Sequence, residues 1–184
     1  MIDGILEFTF RPVADKRFSV GAFIISLALA AAAVVASVLA ETKKGLISLA
    51  AVIVICYAIY LFTRYIIPEY AYSVVYDSEE NPNFVVTKRI GKSVTTLFNI
   101  PLYEIYKIEL ETDLQRRKHT VPYGTQKFNF APSLMAKSCY RIYAKNRSLT
   151  REFLIEGTSA LAERLRSYSA LALAQERRED EDAD

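Results

Sequence analysis

Two apolar stretches stand almost back to back near the start of this chain, Ser19 to Ala40 and Leu46 to Ile67, with only Glu41-Thr42-Lys43-Lys44-Gly45 between them. A helix needs about 20 mostly apolar residues to cross a hydrocarbon core of about 30 Å, and both stretches reach that length. The pattern predicts a transmembrane helical hairpin over 19–67, with helices 19–40 and 46–67. Everything after Pro68 is then read as attached to a membrane. No acid or histidine interrupts either stretch. Such groups are what mark ion and proton paths in lipid, so a two-helix transporter is disfavoured.

Lys16 and Arg17 before the first stretch and Val38-Leu39-Ala40 at its end imitate a cleavable signal peptide. Signal h-regions usually run only about 7–15 residues, however, and an uncleaved helix fits the longer stretch better. Arg11, Lys16, Arg17 and Arg64 flank the hairpin on one side, against Lys43 and Lys44 in its connecting loop. That count favours a two-span protein of the cell membrane with both termini in the cytoplasm, residues 1–18 forming an N-terminal cytoplasmic segment. Ala28, Ala32, Ala36 and Ala40 recur every four residues. They place small side chains on one helical face, which suits close packing against the second helix or against another hairpin. Ile5 to Phe10 alternates, and fits either a short strand or an apolar-faced segment lying along the interface.

With 184 residues the chain has room for this hairpin and one further domain. The 52% hydrophobic content beside 24% charged residues means that the apolar excess is localised. The body is mildly basic, and the tail 175–184 sets six acids against Arg177 and Arg178. This balance suits a surface near anionic lipid and does not point to nucleic acid. The tail lacks apolar anchors, and disorder is expected there. Cys56 falls in the second apolar stretch and Cys139 in a strand-like run, so neither a disulfide nor a metal set is indicated.

Beyond Pro68 the hydrophobic period changes to two. Strands are expected at Tyr70 to Tyr76, Phe84 to Ile90, Ser93 to Asn99, Ile105 to Glu111, Lys127 to Phe130, Cys139 to Lys145 and Thr150 to Glu156, with turn chemistry at Asn81-Pro82-Asn83, Gly91-Lys92 and Asn146-Arg147-Ser148. Thr112 to Thr120 reads as a polar loop. Gly157-Thr158-Ser159 then ends the β pattern and offers hydroxyl caps to a helix from Ala160 to about Ala174, whose Leu161, Leu165, Tyr168 and Ala172 share one face. The domain is therefore set at 69–174.

Two apolar helices followed by Tyr70 to Asp77, the strand-turn-strand Phe84-Val-Val-Thr-Lys-Arg-Ile-Gly-Lys-Ser and Ile100-Pro-Leu-Tyr-Glu-Ile-Tyr-Lys-Ile-Glu resemble bacterial membrane proteins that carry a pleckstrin-homology-like domain. The resemblance covers about residues 70–170. It implies an α+β membrane protein: a transmembrane hairpin followed by a bent antiparallel β-barrel of about seven strands, capped by a C-terminal α-helix. In eukaryotic pleckstrin-homology domains, cations at the first hairpins hold lipid headgroups, and Lys88, Arg89 and Lys92 occupy a similar hairpin here. Alternation sends Lys88 and Arg89 to opposite faces of their strand, and three cations at a turn also fit a solvated strand end.

A second basic cluster, Arg116-Arg117-Lys118, precedes His119. It fits either an attraction to anionic headgroups or a plain polar loop, and a histidine beside three cations is a poor metal ligand and a poor base. There is no glycine-rich phosphate loop, no metal-spaced Cys/His set and no nucleophile with an identifiable base. Glu109, Glu111 and Asp113 alternate onto one side of a strand, the pattern of a solvated face. The expectation is a non-enzymatic membrane-anchored binding or scaffold protein with no cofactor, and no small-molecule substrate is identified. Its expected partners are membrane lipids and another membrane protein or a second copy of itself. The rival expectation is a structural subunit that assembles through its transmembrane helices.

Overall fold

The computed structural model describes residues 5–39, 44–77, 81–111, 124–146 and 149–183, and it divides the chain into two units. One unit holds residues 14–68 together with Pro132–Met135. Its helices are α1 (Arg17–Leu39) and α2 (Lys44–Leu61), and α2 continues as a π-helical turn, Phe62–Ile66, just before Pro68. Both helices are long and apolar enough to cross a membrane. Only 17% of either span is buried, whereas the core helix of a water-soluble fold would be mostly covered.

The seam between α1 and α2 is built from small and hydroxylated residues. Ser19, Ser26 and Ala30 are buried on α1, and Ala51, Ala58 and Leu61 on α2, with Tyr65 on the π turn. Spacings of three, four and seven keep such residues on one side of a helix. Small side chains let the two backbones approach, and Phe23 stacks on Phe62 with ring centroids 5.4 Å apart. Ala28, Ala32 and Ala36 are exposed. The four-residue alanine ladder is therefore not what receives α2: Ala28 stands two residues from both Ser26 and Ala30, on the opposite side of the helix; its last member, Ala40, lies outside the described residues. At the open end of the hairpin the Lys16 Nζ donates to the Ile66 carbonyl at 2.8 Å, placing a cation on otherwise unpaired carbonyls at a helix C-terminus. The Asp15 amide donates to Ser133 Oγ at 2.9 Å and fixes the short Pro132–Met135 segment to this unit.

The other unit is a β domain with one C-terminal helix. Its first strand, β1 (Ile5–Phe10), comes before the helical hairpin in sequence, and its partner β2 (Glu69–Tyr76) comes directly after it. Ile5–Phe10 is thus a strand of this domain. The helical hairpin takes the place of a loop in an antiparallel β1–β2 pair. The chain continues through β3 (Pro82–Ile90) and β4 (Ser93–Pro101), completing a sheet in the order β1-β2-β3-β4. After a 3₁₀ turn at Leu102–Glu104 come β5 (Ile105–Glu111), β6 (Gln126–Asn129), β7 (Cys139–Asn146) and β8 (Leu149–Glu156), in the order β5-β7-β8-β6. Pairing is antiparallel except between β6 and β8.

All seven strands expected after Pro68 form, but among the described residues the two sheets do not join into a closed barrel. Pro101 supplies no amide hydrogen, and the 3₁₀ turn that follows carries the chain from one sheet to the other without continuing the ladder. The sheets instead face one core. Tyr72, Val74, Phe84, Val86 and Ile100 meet Ile142, Ala144, Phe153 and Ile155, joined from the helix by Leu161 and Leu165.

The two gaps between the sheets are closed differently. On the β4 and β6 side, Phe98, Phe128, Phe130 and Phe153 cluster with centroids 4.4–6.3 Å apart. On the β1 and β5 side lies α3 (Ser159–Ala183). Tyr168 on α3 donates to Glu7 of β1 at 3.1 Å, and Arg164 lies over the Phe8 ring at 4.8 Å. Arg166 donates to the Ile108 carbonyl of β5 at 2.8 Å, while the Ser169 hydroxyl faces the carbonyls of Ile105 and Leu102 at 2.7 and 3.0 Å. These side chains blunt an edge strand that would otherwise present unpaired carbonyls. Thr158 caps the helix by accepting from the Leu161 amide. The helix runs on to Ala183 through the acidic residues expected to be disordered, because each residue added to a formed helix gains a hydrogen bond without a new nucleation cost.

Candidate partner-binding surfaces

Lys88, Arg89 and Lys92 lie on the β3–β4 hairpin. Ile90 pairs with Ser93 across the two-residue turn Gly91-Lys92, and Gly91 has φ +58°, a left-handed conformation that glycine adopts without strain. Tyr70 of β2 stands opposite Lys88, and Glu69 stands opposite Arg89. Adjacent residues point to opposite faces, so Lys88 and Arg89 do not share a wall, as alternation required. Arg89 Nε donates to the Gly91 carbonyl at 2.9 Å, which bends it back along the turn. The hairpin also exposes apolar residues: Val94 is 62% exposed and Ile90 44%. Each face of the tip thus carries one of the two strand cations and one of these aliphatic side chains. Arg116, Arg117 and Lys118, with His119, lie outside the described residues.

A second surface runs along β5 and α3. Tyr103, Ile105, Tyr106, Ile108, Ala170 and Leu173 line a cavity of about 290 Å³ there, with Lys107 and Arg166 at its margin. The core-facing stripe of α3 leaves Leu171 and Leu173 outside, and Tyr106 is 59% exposed. Lys107 pairs with Glu109 at 2.7 Å, and this hydrogen bond raises the Lys107 pKa, keeping the ammonium charged. The pair spans two positions of one strand at the surface, so it organises charge beside the cavity while contributing little to stability. Sequence reasoning missed this surface: the strand and the helix were each legible, but the cavity exists only through how α3 lies against β5.

Several buried polar groups of the domain pair across its strands. Arg141 on β7 bridges Glu152 on β8, at 2.5 Å, and Glu111 on β5, tying three strands together through a triad that is nearly buried. Glu104 is buried and accepts from the Asn146 amide, while its Oε2 has no hydrogen-bond partner among the described residues. Tyr72 donates to the Phe130 carbonyl at 2.9 Å and accepts from the Glu156 amide at 3.3 Å. Burial pushes the Tyr72 phenol far above the usual tyrosine pKa. Burial also raises Tyr168, assisted by its hydrogen bond to Glu7. Among the described residues no group of three His, Cys, Asp or Glu side chains converges where a metal could be held.

Compared with known protein families, curated proteins and solved structures, the chain shows no match.

Proposed function

We propose that this protein is a membrane-anchored, non-enzymatic binding module. Its helical hairpin sits in the bilayer, and a domain of pleckstrin-homology-like type at the cytoplasmic face receives an apolar segment of a partner membrane protein along β5 and α3. The outward faces of α1 and α2 support the anchoring: Ile24, Ile25, Leu29, Val35, Leu49 and Ile53 are all exposed, and so large an apolar surface is stable only when something apolar covers it. The order of four strands, a second set of strands and a C-terminal helix agrees with the resemblance, from which the chain departs by carrying its helical hairpin between β1 and β2.

One observation carries the binding reading. The β5–α3 cavity is open at the surface and lined mostly by apolar side chains. Anchoring also raises the effective concentration of any partner in the same membrane, so a modest site is enough. The test is co-purification of the full chain in mild detergent, with Tyr106→Asp and Leu173→Asp compared with the unaltered protein. Loss of the co-purifying partner on either change supports the reading, and unchanged association rejects it.

A second reading, a structural subunit that assembles through its helices, is favoured by Ala28, Ala32 and Ala36, which are exposed on α1 and free for lateral contact. Under that reading, leucine at those positions abolishes association while the Tyr106 and Leu173 changes leave it intact.

A further inference from the structure

We infer that the β3–β4 tip is a lipid-contacting wedge that holds the domain down on anionic headgroups of the same leaflet from which the chain emerges. This rests on the proposed anchoring and adds to it a surface, separate from the β5–α3 cavity, that takes a phospholipid membrane. β2 leaves the helical hairpin at Glu69, immediately after Pro68, and β1 enters it after Phe10, which stands opposite Tyr72. Both connections therefore leave the sheet at one end. In an antiparallel sheet the β3–β4 turn falls at that same end, and the register makes this explicit, because Glu69 is opposite Arg89.

Chain reach then limits the distance. A residue spans at most about 3.6 Å, so Glu69 lies within about 11 Å of Ile66, the last residue of the π turn. Arg89 is the cross-strand neighbour of Glu69, and the tip is only a few residues further along.

The composition of the tip suits that position. Ile90 and Val94 are exposed at the end of a hairpin whose nearby positions carry Lys88, Arg89 and Lys92. Exposed aliphatic side chains on a strand pair gain by entering the headgroup boundary, and cations beside them gain from an anionic leaflet only within a Debye length of about 8–10 Å. Glu69 offsets Arg89 in part, which leaves Lys88 and Lys92 as the main attraction. Because the two faces are alike in carrying a cation and an apolar residue, the tip forms a symmetric wedge and not a headgroup pocket with one binding wall.

The sequence has no tryptophan, so a single introduced one reports on its own surroundings. The full chain carrying Val94→Trp is reconstituted in vesicles whose acyl chains are brominated, either phosphatidylcholine alone or phosphatidylcholine mixed with phosphatidylglycerol. The expected result is blue-shifted, quenched emission in the mixed vesicles. Most of that quenching should be lost in phosphatidylcholine alone, and lost again when Lys88→Glu, Arg89→Glu and Lys92→Glu are added. Tyr106→Trp, beyond the full length of β4 from the tip, should keep a solvent-exposed spectrum throughout. Unquenched Val94→Trp in both vesicles overturns the inference and leaves the tip to a protein partner. Equal quenching in both vesicle types, or of both reporters, overturns it as well. Resistance to a carbonate wash is measured on the same samples: release of the chain refutes the anchoring itself, whereas a retained chain with an unquenched tip refutes only the wedge.

Discussion

The hairpin and the β domain are packed inside out relative to each other. In the hairpin, the buried positions are mostly small or hydroxylated, such as Ser26, Ala30, Ala51 and Ala58, and the large aliphatic side chains face outward. In the domain, Tyr72, Phe84, Phe153 and Ile155 are fully inside. One chain thus uses two opposite rules. Burial of large apolar surface drives a fold in water, where each buried Leu- or Phe-sized side chain contributes about 1.5–3 kcal/mol, whereas in an apolar surrounding close backbone approach is what holds helices together. The contrast teaches that the solvent for which each region is built can be read from which residue sizes it hides.

The largest change is expected at Phe153, where the aromatic cluster closes one gap between the sheets. Phe153→Ala should cost about 3–5 kcal/mol of domain stability, read as an earlier transition in near-ultraviolet circular dichroism of the tyrosine-rich core. Ile25→Ala on the exposed side of α1 should leave that transition where it was. A smaller effect should follow at the seam. Ala58→Leu should destabilise helix pairing by about 1–3 kcal/mol through overpacking, measured as reduced resistance to unfolding in sodium dodecyl sulfate, while Ala32→Leu on the exposed stripe leaves resistance unchanged. A loss with Ala32→Leu would show that the seam has been assigned to the wrong residues.

Alkaline pH acts more mildly, and on the domain alone. Burial raises the Tyr72 pKa, so the folded state favours the neutral phenol. Its contribution is complete below the unfolded tyrosine value of about 10 and is lost progressively as pH rises above it. Tyr72→Phe, with nothing to ionise, should cost about 1 kcal/mol near neutrality through the lost hydrogen bond, and should soften the alkaline fall in stability followed by denaturant titration. Tyr76, Tyr103, Tyr143 and Tyr168 are also shifted upward by burial, so the fall should be reduced and not abolished.

Local chemistry was the legible part of this sequence. Alternation located each strand described after Pro68, and Thr158 announced the start of α3 because capping needs only neighbouring residues. What depended on distant partners was not legible. Ile5–Phe10 remained open because the strand that pairs with it follows two long helices. The hairpin seam was not legible, because a four-residue spacing of alanines is the more visible pattern, whereas the buried positions follow the mixed spacing that contains Ser19, Ser26 and Ala30. The cations of the β3–β4 tip were found, but Ile90 and Val94 were read as ordinary strand residues, since alternation reveals a side and not what covers it.

The placement of the helical hairpin between β1 and β2 orders events during synthesis. The ribosome makes β1 first, yet the strand to which it hydrogen-bonds emerges only after both long helices. Until then its polar backbone has no ladder to join, and sheet assembly waits on whatever places those helices. A chain whose α1 and α2 are delayed should therefore carry a frayed β1, with Phe8 and Phe10 uncovered for quality-control machinery to detect.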